Sequence, residues 1–403
     1  MGRLKITDVR CVLLSAPYAT PDDAERVFHL QTGYRPAGLI RVEASDGSFG
    51  LGEVYSGVYA PETVAALTQQ LGEAIEGQDP RRPAALWDRM RLASYYWGRL
   101  GISQSVLGGI EMALWDLYGK SLGVPVCDLL GGCQHDSLLA YASGGNNKPE
   151  AELRAEMHGY VQDGFRAVKI RINNLASMDQ IVEKVAICRE ALGSGVGLAV
   201  DAAQGLAQRP WTVKQAISVA HAIEQFDLMW IEEPAEVSNY EGFAQIRRNI
   251  SIPVAGGETV TSLTEAKCYL NADALDLFQP DASLIGGLTV FRRLADLCDT
   301  RHLPVAVHTW CAGVGIMGNY HAAFASRNCS IVELPTVPNP LREVVLQHPL
   351  KMHEGRIAAP QGAGLGVVAP DDLESSFPYR PGSYYKILGA IDQPQTSQRE
   401  PQP

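Results

Sequence analysis

Six ionisable side chains stand one by one at the ends of short β-branched apolar runs, and this repetition constrains the fold more than any other feature. They are Asp201 in GLAVDAA, Glu233 in LMWIEEP, Glu258 in PVAGGE, Asp281 in LDLFQPD, His308 in PVAVHTW and Glu333 in SIVELP. The runs recur every 23 to 32 residues, an interval that holds one strand and one helix. That is the repeat of a β/α barrel, in which the carboxyl ends of the strands converge on the face where chemistry is done. The six groups are therefore expected in one pocket. Acidic residues at strand ends also serve simply to cap the helices that follow. Three on adjacent strands fit that role poorly, because clustered carboxylates repel without a cation. Three carboxylates followed by an Asp, a His and a Glu point to a divalent metal beside a general base.

From about Leu138 to Glu333 the chain alternates strand-like and helix-like segments with little interruption. YASGG, AVKIRI and the six runs above read as eight strands, with seven helical runs between them. Alternation of this kind implies a parallel sheet with helical crossovers, and closure into a barrel is its natural outcome at this count. The N-terminal third reads differently. LKITDVRCVLL and GLIRVEASDGSFGLGEVYS, with the turn signal SDGS, predict an antiparallel sheet of about three strands. Helical patterns follow, among them PETVAALTQQLGEAIEG and SQSVLGGIEMALWDLYGKSLG. The expected division is an α+β unit over 1–130, a barrel over 131–340 and a Pro- and Gly-rich segment over 341–390. The polar tail 391–403 is expected to be disordered.

With 403 residues the chain has ample length for a buried core and a second, smaller unit. No apolar stretch approaches the roughly 18 residues of a membrane helix. MGRLKITDVRCVLL is too polar for a signal peptide, and Gly2 lacks the context that lipid anchoring favours. A net charge of −11 disfavours nucleic acid as a partner. The eight cysteines are scattered without a CxxC pair, which points to packing roles and a reducing cytoplasm.

The blocks SDGSFGLGE, GGIEMALWDLYGKSLGVPVCDLLGG, AVKIRI, IEEP, GGE, QPDASLIGGLT, VAVHTW and VELP resemble, in order, those of the enolase superfamily. Within it the resemblance is to the mandelate racemase subgroup, the mandelate racemase/muconate lactonizing enzyme family. It implies an α/β fold: a modified (β/α)7β TIM-type barrel with an N-terminal α+β capping domain, to which the C-terminal segment returns. Carried over by position, it implies that Asp201, Glu233 and Glu258 hold Mg2+, whose hard charge suits carboxylate oxygens. It makes Asp281 and His308 a pair in which the carboxylate orients the imidazole. It places Lys169 and a protonated Glu333 against the substrate carboxylate. An ion pair between Glu333 and Lys169, or a lysine that merely snorkels at the core edge, stands as the alternative. A homo-oligomer is expected by analogy alone.

Two positions depart from the family pattern. Where a second lysine would serve as a base the chain has Arg171, which holds its proton near neutrality. The usual two-base racemisation is thereby disfavoured. After Asp201 the expected Asp-x-Asn is Asp201-Ala202-Ala203, leaving Gln204 as a partial substitute for substrate contact. The chemistry that survives is abstraction of an α-proton by His308 and β-elimination of water from a sugar acid. Opening of a sugar-acid lactone, epimerisation and a non-catalytic sugar-acid-binding protein are the alternatives, in that order. Substrate choice is expected from two loops, residues 15–36 and 53–62, with Tyr18, His29, Tyr34, Arg35, Tyr55 and Tyr59, and from Trp310 beside the base.

Overall fold

The computed structural model describes residues 4–18, 33–173, 175, 177–207 and 209–384. Strands β1 (Ile6–Pro17), β2 (Tyr34–Ala44) and β3 (Phe49–Val54) form an antiparallel sheet in that order. The SDGS signal makes the β2–β3 turn, where Asp46 Oδ1 accepts from Ser48 N and Oγ at 3.0 and 2.6 Å. Helices α1 (Pro61–Gly72), α2 (Pro83–Ala93), α3 (Ile102–Leu122) and the short α4 (Val126–Leu129) complete the cap. Both α1 and α2 open on proline, whose missing N–H costs nothing in a first turn. The long α3 is buried on nearly every side and lies directly on β3. Gly50 and Gly52 permit that approach, since a methyl at either would run into the α3 backbone at Ala113 or Gly109.

The barrel follows as β4 (Ser137–Gly144), α5 (Glu150–Gln162), β5 (Ala167–Arg171), α6 (Met178–Leu192), β6 (Gly197–Asp201), α7 (Val213–Ile223) and β7 (Leu228–Glu232). It continues as α8 (Tyr240–Asn249), β8 (Val254–Gly256), α9 (Leu263–Ala272), β9 (Leu277–Phe278), α10 (Leu288–Asp299), β10 (Val305–Val307), α11 (Gly313–Phe324) and β11 (Cys329–Pro335). Each strand pairs in parallel with the next, and β11 closes on β4 from Ile331↔Leu139 to Pro335↔Ser143. The eight strands and seven helices expected from the alternation are all present, in a closed barrel under an antiparallel cap.

Inside the barrel one side chain from each strand forms a closed layer: Tyr141, Ala167, Ala199, Trp230, Ala255, Leu277, Ala306 and Ile331. Because strand side chains alternate faces, the residues two positions further on form the next layer toward the carboxyl ends. Those are Ser143, Lys169, Asp201, Glu232, Gly257, Gln279, His308 and Glu333. The floor is apolar and the layer above it carries the charge.

The C-terminal segment contains α12 (Pro340–Glu343), β12 (Met352–His353), β13 (Arg356–Ala358) and α13 (Leu373–Ser376). β13 pairs antiparallel with the first residues of β4, and Pro378 bridges Leu14 of the cap sheet. Buried Asp116 of α3 ties these parts together, accepting from Leu51 N and Leu365 N at 2.8 Å each and from Lys120 Nζ at 2.6 Å. Among the described residues no helix is long and apolar enough to cross a membrane.

One expectation needs correction. Cys127 of α4 and Cys133 are joined by a disulfide with their Cα atoms 5.4 Å apart, so these two are not separate packing thiols. A spacing of six carries no motif, and the turn through Leu130, Gly131 and Gly132 brings the two together. The other six cysteines are free, and four of them are buried.

Candidate active site

The charged layer is organised around Lys169. Its Nζ donates to Glu232 Oε1 at 2.6 Å and lies 3.1 Å from Glu333 Oε1 and 4.0 Å from Asp201 Oδ2. Glu232 Oε2 accepts from Trp230 Nε1 at 3.0 Å and Gln279 Nε2 at 2.7 Å. All four charged groups are at most 2 % exposed, a setting that charges tolerate only when paired and hydrogen-bonded.

The glutamate that faces the barrel axis is therefore Glu232, where the expectation was Glu233. Glu232 sits in register with Asp201 and alternates with inward Trp230, whereas Glu233 follows the end of β7 with φ at 43°. That backbone turns the Glu233 side chain toward Gly205 and Gly256, at the outer edge of the strand ends, where one carboxylate oxygen is buried without a hydrogen bond. Strand alternation puts Glu232 on the same face as Trp230, and the structure shows that this face is the inner one.

Asp281 and His308 meet as expected. His308 Nδ1 donates to Asp281 Oδ2 at 2.9 Å, leaving Nε2 directed into the mouth, 3.7 Å from Glu258 Oε2. The other Asp281 oxygen accepts from Ser283 N at 2.8 Å, Ser283 Oγ at 2.6 Å and Asn319 Nδ2 at 2.8 Å. So many donors fix the plane of that carboxylate. Burial alone would lower the His308 pKa, but the Glu258 charge and the Asp281 hydrogen bond outweigh it and raise it to about 9.

Glu333 departs from the expected protonated donor. Burial pushes its pKa up, yet the Lys169 ammonium, with His308 and the Thr309 N–H, holds it at about 2. It accepts from Thr309 N at 2.7 Å and from Trp310 Nε1 at 3.1 Å, and so braces the segment after His308. The ion pair with Lys169 is the alternative that holds. A carboxyl whose folded pKa is depressed stabilises the fold above its unfolded pKa and loses that contribution as pH falls. Between about pH 4.5 and 2 the wild-type melting temperature should therefore fall more steeply than that of Lys169→Met, a comparison that thermal denaturation checks.

Arg171 remains a cation. Burial would lower its pKa, but the Asp201 and Glu258 carboxylates outweigh burial and raise it further. Its Nε is 3.8 Å from Asp201 Oδ2, and its guanidinium lies 5.2 Å from the centre of the Trp310 ring. The pocket thus gathers Asp201, Glu232, Glu258, Asp281 and Glu333 around Lys169, Arg171 and His308. That surplus of buried carboxylate, with Asp201 and Glu258 both raised in pKa by burial, fits an oxygen-liganded divalent cation. The carboxylates are spaced more widely than the atoms of Cys127, Asp128 and Cys133, which all lie within 4.8 Å of one another. Those two sulfurs are committed to the disulfide and supply no thiolate, so the barrel remains the better cation site.

The cap closes over this mouth with a small apolar cluster of Tyr18, Tyr55 and Val58 packed on Trp310 and Cys311. The Tyr55 ring is 5.5 Å from the His308 ring, and its hydroxyl is 3.4 Å from that of Tyr59. Arg35 is buried under the Tyr18 ring and donates to the Trp310 carbonyl, while Tyr34 lies under Arg380 at 3.9 Å. Gln204 is turned away from the expected contact: its amide donates to Ala202 O at 2.8 Å and accepts from Trp211 N at 2.9 Å, which holds its own loop. His29 lies outside the described residues.

Residues 31–131 match the mandelate racemase / muconate lactonizing enzyme N-terminal domain, and residues 152–373 match the enolase C-terminal domain-like family. The chain is 32 % identical to D-galactarolactone cycloisomerase of Agrobacterium fabrum, over 93 % of this chain and 99 % of that protein. It is 28 % identical to arabinonate dehydratase of Saccharolobus solfataricus, over 82 % of this chain and 88 % of the relative. L-Talarate dehydratase from Polaromonas sp. JS666, solved with Mg and L-glucarate, superposes with a TM-score of 0.80 at 27 % identity, covering 92 % of this chain and 97 % of that one. The chain belongs to the mandelate racemase and muconate lactonizing enzyme family of the enolase superfamily.

Proposed function

We propose that the protein abstracts the α-proton of a sugar-acid carboxylate and eliminates the β-hydroxyl as water, yielding a 2-keto-3-deoxy acid. The observation that carries this is the His308–Asp281 pair, whose free Nε2 faces the mouth beside buried carboxylates and Lys169. His308 takes the proton from the α-carbon, and the bond electrons pass into the carboxylate to make an enediolate. Lys169 offers its ammonium to that developing charge from a site where water is excluded. Collapse of the enediolate breaks the β C–O bond, protonated His308 returns its proton to the leaving hydroxyl, and the enol product ketonises. Asp201, Glu232 and Glu258 are the residues that would hold Mg2+, which supplies positive charge for the enediolate and offsets the Glu258 charge that retains a proton on His308.

A second reading, the β-elimination that opens a sugar-acid lactone, is favoured by two observations. Arg171 keeps its proton, so the face opposite His308 supplies charge and no base. A leaving carboxylate needs that charge, whereas a leaving hydroxyl also needs an acid. The similarity to D-galactarolactone cycloisomerase extends over nearly the whole of both chains.

Proton NMR in D2O with Mg2+, across aldonic, aldaric and lactonised acids, tests both. A new methylene beside a keto or enol carbon is expected, and the productive member tells dehydration from lactone opening. Deuterium entering the α-position without elimination would refute both readings in favour of an epimerase.

A further inference from the structure

The cap strand β3 reaches into the barrel behind the proton-abstracting pair. Glu53 is 1 % exposed and lies far from the carboxylates at the strand ends of β6 to β8 in sequence. Its Oε1 accepts from Ala312 N at 2.6 Å and its Oε2 from Gly315 N at 2.7 Å. These are the N-cap and third residues of α11, the helix that follows the strand bearing His308. A helix start leaves such N–H groups without internal partners, and an alanine at the N-cap has no side-chain acceptor for them. Glu53 supplies that cap from the other domain.

The turn it holds is joined to Asp281 by two short routes. Through α11, Gly315 O accepts from Asn319 Nδ2 at 3.1 Å, and the same amide donates to Asp281 Oδ1 at 2.8 Å. Through the preceding residue, Cys311 Sγ meets Ser283 Oγ at 3.0 Å, and that hydroxyl donates to Asp281 Oδ1 at 2.6 Å. Gly315 leaves no slack, because a methyl there would lie 2.6 Å from Cys311 Cβ and 3.1 Å from Glu53 Oε2. On the other side of the turn, Arg35 of β2 donates to Trp310 O. Two cap side chains, Glu53 and Arg35, thus grip the backbone on which the base depends.

We propose that Glu53 is a positioning residue for the His308–Asp281 pair, so that the cap sets the geometry of proton abstraction as well as covering the mouth. This rests on the reading of His308 as the base. Glu53→Gln keeps the size of the side chain and gives up one of its two acceptors. It should still fold cooperatively, with a modestly lowered melting temperature from the lost cap acceptor and a substrate KM within about twofold, while kcat falls about 10- to 100-fold, the range found when groups that orient functional ligands are lost. The downfield proton resonance of His308 Nδ1–H, which requires no substrate, should shift or broaden. In Glu53→Ala the fall should be larger, and adding Ala312→Ser should recover part of it, because a serine hydroxyl at an N-cap accepts the third-residue N–H.

A folded Glu53→Gln with wild-type kcat and an unmoved His308 resonance, whatever its melting temperature, would overturn the proposal. If Glu53→Gln does not fold, the double variant decides: partial recovery of kcat supports it, and a folded double variant as slow as Glu53→Ala overturns it. His308→Asn, measured alongside, keeps the two readings apart. Wild-type turnover in that variant removes the base itself, whereas its loss beside an unaffected Glu53→Gln removes the positioning role alone.

Discussion

Replacing His308 by asparagine is expected to lower turnover by about 10²- to 10⁴-fold, the contribution of a positioned general base. Asparagine can still donate to Asp281 Oδ2, so the 2.9 Å hydrogen bond and the buried network behind it have a replacement donor. What disappears is the acceptor at Nε2. Neither the neighbouring cations nor Glu333 can substitute for it. Arg171 stays protonated, the Lys169 pKa is raised well above its ordinary value because Glu232 and Glu333 outweigh burial, and Glu333 is tied to Lys169 and Trp310. Loss of α-proton exchange in D2O together with loss of product, in a variant that melts like wild type, is the outcome that fits. Retention of exchange within about tenfold would require another base and would sink the assignment.

The second large effect separates two adjacent glutamates. Glu232→Gln should weaken Mg2+ binding by about 100-fold or more, beyond the 10- to 100-fold typical of groups that merely orient ligands. Glu233→Gln should weaken it far less. Glu232 alternates with inward Trp230 at the level of Asp201, while Glu233 turns to the outer edge beside Gly205 and Gly256. Calorimetric titration of chelator-treated protein with Mg2+ measures this directly, and turnover should vanish with the chelator and return with the metal. The opposite ranking of the two variants would show that the backbone turn at Glu233 aims its carboxylate at the cation after all. Glu232→Gln also weakens the 2.6 Å contact with Lys169, so part of its turnover loss will persist at saturating Mg2+.

Much of the barrel could be read from the chain because its signals are local. Each strand is a short apolar run closed by a polar residue, and each helix has its own apolar spacing, so neither depends on distant residues. The same locality explains the errors. Glu232 and Glu233 have the same chemistry and differ only in which way the chain turns after β7. Gln204 looked available for substrate until its own loop used both ends of the amide. Glu333 became an ionised brace because Lys169 came within 3.1 Å, a contact between strands 164 positions apart in sequence.

By itself the sequence determined the strand and helix alternation, the family, the Asp281–His308 pair and an arginine at position 171 where the family pattern has a lysine. Each of these follows from residue type and spacing along one segment, or from blocks in a fixed order. Tertiary structure alone decided which glutamate faces the axis, what charge state Lys169 imposes on Glu333, how Cys127 finds Cys133 and where Glu53 spends its carboxylate. The physical reason is common to all four. Hydrogen bonds and ion pairs act over about 3 to 4 Å in space, whatever the separation along the chain, and a buried charge takes its pKa and its partner from whatever folding brings there.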